Sequence, residues 1–116
     1  MKDFIIKFSL ADSEYMTALR LAVGAVCAVA ETDIDCAEDM KVCVTESCLV
    51  LKSSGFEGAE VKLGVDGGVH ATVEGAGGCP CVAGDSELSL ALISALVADF
   101  ELEKKDGVIY KLTLKL

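Results

Sequence analysis

Apolar and polar residues alternate near both ends of the chain and recur at helical spacing in between. Phe4, Ile6, Phe8 and Leu10 fall on one side of the segment Asp3 to Leu10, which predicts a strand. From Asp12 the period lengthens. Tyr15 or Met16, Leu19, Val23, Val26 and Ala30 predict a helix over about 12–30, with Asp12 or Ser13 as its cap. Cys36, Met40, Cys43, Val44, Cys48 and Leu51 form the stripe of a second helix. The Asp35/Glu38 spacing suits a capping box at its start, and Ser53-Ser54-Gly55 ends it.

Two hairpins follow. Val61, Leu63 and Val65 alternate with Glu60, Lys62 and Asp66; Asp66-Gly67-Gly68 turns the chain; and Val69, Ala71 and Val73 alternate with His70, Thr72 and Glu74. Later Phe100 and Leu102 alternate with Glu101 and Glu103. Lys105-Asp106-Gly107 then turns the chain into Val108, Tyr110, Leu112, Leu114 and Leu116. Between the hairpins Gly75 to Gly84 reads as a loop. Asp85 is the expected cap of a third helix through Leu88, Leu92, Ala95 and Leu96 to about Ala98. The order is β-α-α-β-β-α-β-β. Alternating strands imply a sheet with one wet face, and three helices must cover the other. The expected fold is a two-layer α/β (α+β) sandwich with a mixed five-stranded sheet, in one domain spanning 1–116.

Composition narrows the picture. The 116 residues are 53% apolar but only 5% aromatic, so the core must come from Ala, Val, Leu, Ile and Cys. A net charge of −9 repels phosphate backbones and makes direct nucleic-acid binding an unsuitable function. A basic or weakly charged protein partner suits it better. The apolar run Leu21 to Ala30 is about half a membrane span. Met1-Lys2-Asp3 precedes too few apolar residues for a signal peptide, so a cytoplasmic protein is expected. Of the six cysteines, Cys27, Cys36, Cys43 and Cys48 sit in or beside apolar helical patterns and read as reduced packing residues. Cys79-Pro80-Cys81 is the one close pair, to which His70 could add a third ligand, but no fourth zinc ligand is evident.

The order of elements and several local strings resemble the anti-sigma-factor serine kinases of partner-switching systems, members of the ATPase superfamily that also holds the histidine kinases and gyrase. The resemblance covers nearly the whole chain and implies a Bergerat-type ATPase fold. Ala37 to Cys48 looks like the family's second helix, where a Glu polarises the nucleophile and an Asn four residues later binds Mg²⁺. Glu46 matches that Glu and is the catalytic residue the resemblance implies; Val50 stands at the Asn position. The spacing puts Asp39, Glu46 and Val50 on one flank, but a valine cannot hold Mg²⁺ or its water.

The family's adenine box, Asp-x-Gly-x-Gly, corresponds to Glu74-Gly75-Ala76-Gly77-Gly78. In one register Glu74 replaces the Asp and Gly78 is kept; in the other Gly75 replaces it and Gly77 is kept. Glu74, Gly77 and Gly78 are the cofactor-binding residues this implies. The family's lid is very short here, and its phosphate-cradling Gly-Leu-Gly-Leu becomes Glu87-Leu88-Ser89-Leu90, with Asp85 and Glu87 bringing negative charge to where phosphate would sit.

The resemblance and its departures together imply a non-catalytic or weakly nucleotide-binding regulatory protein. It would act on a sigma factor or an anti-sigma antagonist, need no cofactor or metal, and could form a homodimer. Two alternatives stand beside it. One is an active serine kinase using ATP and Mg²⁺, which needs cradled phosphates. The other is a redox or metal sensor built on Cys79 and Cys81.

Overall fold

The computed structural model describes residues 3–82 and 86–116. Among these, eight elements run in the order β1 (Phe4–Ser9), α1 (Glu14–Val29), α2 (Ile34–Ser53), β2 (Gly58–Val65), β3 (Val69–Ala76), α3 (Glu87–Leu96), β4 (Asp99–Lys105) and β5 (Val108–Lys115). This is the order the hydrophobic pattern predicts, in an α+β fold.

Pairing brings the apolar positions of all five strands into register. Ile6, Val61, Val73, Leu112 and Leu102 lie in one row across the sheet, and Phe4, Leu63, Ala71, Leu114 and Phe100 in the next. The central members of these rows are buried together with Met40, Cys43, Val44 and Leu51 of α2, which forms the middle of the core. Helix α1 covers the β1–β2 side, and α3 packs chiefly on α2 and touches β4. The opposite face is polar: Lys7, Glu60, Glu74, Lys111 and Glu103 form a charged cross-strand row. Within it Lys7–Glu60 and Lys111–Glu103 pair at 3.5 Å.

The expected mixed sheet is corrected. The strand order is β1-β2-β3-β5-β4 and every neighbouring pair is antiparallel. The chain leaves β3, crosses through α3 and enters β4 parallel to β3, but β5 turns back and inserts between them. The return of β5 converts a parallel contact into two antiparallel ones. The helix boundaries also shift. Asp33 caps α2 in place of the expected Asp35/Glu38 box, its carboxylate accepting from Cys36 N at 2.9 Å. At α1, Asp12 accepts from Glu14 N at 3.0 Å, whereas Ser13 makes no side-chain cap bond. The expected Asp85 cap lies outside the described residues, and Ser86 is the N-cap residue of α3. Among the described residues no helix is long and apolar enough to cross a membrane.

Candidate functional site

Helix α2 carries the residues singled out for chemistry. Positions 39, 43, 46 and 50 recur at three- and four-residue steps and so share a flank. Helix α3 closes over this flank. Ser89 Oγ donates to Glu46 Oε2 at 2.7 Å, and Cys43 Sγ lies 4.0 Å from the Ile93 carbonyl oxygen, which it faces as a weak donor. Burial first, and then the negative charges of Asp39 and Glu46, push the Cys43 thiol up to about 11. The flank is therefore a closed helix–helix seam in which Glu46 is already hydrogen-bonded. Val50, at 1% exposure, belongs to the core, and its carbonyl accepts from Ser54 Oγ at 2.9 Å.

Glu74 does not join Glu46. Strand alternation sets it on the polar face, away from α2, where its register partners are Glu60 and Lys111. Its neighbour Gly75 faces the helices, and the Phe56 ring fills the space beside it: a Cβ at Gly75 would come within 2.5 Å of that ring. Phe56, Tyr110, Val108 and Pro80 line an open cavity of about 440 Å³, with Lys105 and Asp106 beside them.

Gly77 and Gly78 both have positive φ, 67° and 73°. Gly78 is also in close backbone contact, since a Cβ there would lie 2.3 Å from Gly55 O and 2.9 Å from Glu57 N. These glycines let the loop after β3 dock on the end of α2. Cys79 N donates to Gly55 O at 3.1 Å and Cys81 N to Ser54 O at 2.7 Å. Both cysteines of this loop are exposed, whereas Cys27, Cys43 and Cys48 are buried. His70 cannot supply the ligand considered for the pair. It is the second residue of β3 whereas Cys79 follows the strand's far end, about 20 Å away at strand rise. Its ring instead packs over Gly64. Among the described residues no three His, Cys, Asp or Glu side chains are grouped to hold a metal ion.

As arranged, these residues do not fit a magnesium–nucleotide complex. Val50 offers no ligand, Glu46 is engaged by Ser89, Glu74 is on the other side of the sheet, and Phe56 occupies the inner side of Gly75. Two features escaped the sequence pattern. The Glu46–Ser89 contact joins residues 43 positions apart and has no local signature. Phe56 directly follows the Gly55 stop and could have been noticed as an aromatic with no place in either flanking periodicity.

A second surface lies at the β1 edge. Phe4, Ile6, Phe8, Tyr15, Leu19 and Ala22 line an open apolar groove of about 570 Å³ between β1 and α1. Phe4 and Tyr15 remain 50% and 46% exposed there. No protein-family model matches the chain, and no curated protein matches it either.

Proposed function

We propose that this chain is a non-catalytic or at most weakly nucleotide-binding regulatory protein with the Bergerat-type architecture of the anti-sigma-factor serine kinases, acting through protein–protein contact in a partner-switching type of pathway. Its partner would be of the sigma-factor or anti-sigma-antagonist kind. The observation that carries this reading is the Ser89–Glu46 hydrogen bond at 2.7 Å, which ties α3 to the carboxylate that would otherwise face a nucleotide. The open groove beside β1 gives such a protein an apolar surface for contact, on a chain whose net charge of −9 favours a basic or weakly charged partner.

Calorimetric titration with Mg-ATP tests the catalytic half of the reading: millimolar nucleotide should give no saturable heat. Micromolar affinity that disappears in Glu46→Gln would overturn it. The interaction half is tested by a pull-down from native lysate with the wild-type protein and a Phe4→Glu/Tyr15→Glu variant. A stoichiometric sigma factor or antagonist should be retained by the former and lost by the latter, and its absence from both counts against the reading.

A further inference from the structure

The Cys79-Pro80-Cys81 loop has no part in the function proposed above, and its geometry is specific. The amides of alternate residues, Cys79 and Cys81, both bond the same turn, Gly55 O at 3.1 Å and Ser54 O at 2.7 Å. Alternate amides facing one partner are the habit of extended chain, which also sends alternate side chains to one side. Pro80 between them has no N–H to satisfy and holds its own φ, and it biases Cys79 toward the extended region. The pair is also kept open from below. Cys81 Sγ lies 3.4 Å from where a Cβ on Gly55 would sit, and Cys79 O only 2.3 Å from that position, so the absent side chain leaves room for loop and thiol. Both thiols are exposed.

We propose that Cys79 and Cys81 form a two-thiolate site for a soft monovalent cation, copper(I). Two arguments select this chemistry. First, thiolates prefer soft ions, and no third His, Cys, Asp or Glu is grouped with the pair among the described residues, which disfavours the four-ligand sites that zinc prefers. Second, spacing separates metal binding from disulfide formation. Extended residues two apart have Cα atoms about 6.6 Å apart. Two metal–sulfur bonds in line, each about as long as a zinc–thiolate bond, span roughly 4.6 Å, which inward-leaning side chains can bridge. A disulfide needs its sulfurs at about 2.05 Å and Cβ atoms near 3.8 Å, which asks the clamped backbone to move. Binding is a ligand exchange without redox change. Two thiols release two protons, two sulfur–copper bonds form, and the bis-thiolate complex carries a single negative charge with copper still in the +1 state.

The test is an anaerobic titration of the reduced full chain with copper(I) supplied as its bicinchoninate complex, following loss of the chelate's colour. One equivalent of copper should transfer to the wild-type protein and to Cys36→Ser, while Cys79→Ser and Cys81→Ser should each lower affinity at least tenfold. X-ray absorption of the loaded protein should report two sulfur neighbours. The proposal falls if the wild-type chain takes no copper from the chelate, if the double Cys79→Ser/Cys81→Ser variant takes as much as wild type, or if more than two sulfurs surround the metal. Circular dichroism of each variant separates loss of the site from loss of the fold. None of these outcomes depends on whether the chain binds nucleotide or a protein partner.

Discussion

Glu46 and Val50 lie one helical turn apart on α2 and have opposite fates, one held by a hydroxyl from α3 and the other sunk in the core. A part-buried hydrogen bond to a charged group contributes about 1.5–3 kcal/mol. Ser89→Ala should therefore destabilise the chain by about that amount in urea denaturation, with nothing gained in nucleotide affinity. If nucleotide binding appeared on freeing Glu46, the serine would be a latch over a working site. The thiols give a second residue-scale expectation. Burial pushes Cys48 up to about 12, and burial with nearby acids pushes Cys43 up to about 11. The thiolate is the reactive form. Cys79 and Cys81 are exposed, so at neutral pH an aromatic disulfide reagent should modify them quickly, and should reach the buried, raised thiols Cys43 and Cys48 only on unfolding. Peptide mapping after a timed quench distinguishes the sites.

At the scale of elements, the strands were legible because each buries one face, and a period of two then writes the core side directly into the sequence. The helices were legible for the same reason, but their ends were not. The start of α2 is fixed by the Asp33 carboxylate reaching Cys36 N, and Asp35/Glu38 offered an equally good local spacing two residues later. Nor does periodicity reveal that β5 inserts between β3 and β4, which is a choice among distant pairings. The candidate site suffered most, because Gly75, Gly77 and Gly78 look alike as letters. Only the fold separates a glycine making room for Phe56 from glycines docking a loop on α2.

The Asp33 cap makes a pH prediction. Hydrogen bonding from Cys36 holds its carboxyl below the usual range. A depressed folded-state value stabilises the native chain at pH above the unfolded carboxylate value and ceases to do so as pH falls through the folded one. Asp33→Asn keeps a capping side chain but not the charge. Its melting temperature should fall below wild type at neutral pH, and the two should converge in acid; a gap independent of pH would assign the effect to geometry alone.

Over the whole molecule, the sheet divides charge from packing: one face holds the charged row in water and the other an apolar surface under α1 and α2. Glu74 and Leu112 test that division from adjacent strands, since both lie near the β3–β5 seam but on opposite faces. Leu112 is fully buried, and its register partners Val73 and Leu102 come from both neighbouring strands. Truncating it leaves a cavity that two clamped strands cannot collapse, so Leu112→Ala should cost about 2–5 kcal/mol. Glu74 lies in the charged row with Glu60 on one side and Lys111 on the other. Removing its charge relieves one like-charge neighbour and loses one opposite-charge neighbour that already pairs with Glu103, so Glu74→Gln should fall within about ±0.5 kcal/mol of wild type. Urea titration of both variants reads the difference directly. If Glu74→Gln instead destabilised the chain by as much as the leucine truncation, Glu74 would have a buried partner and the polar face would not be a simple wet surface. If Leu112→Ala were neutral, the core would not be organised by the five-strand rows that set the layers of this fold.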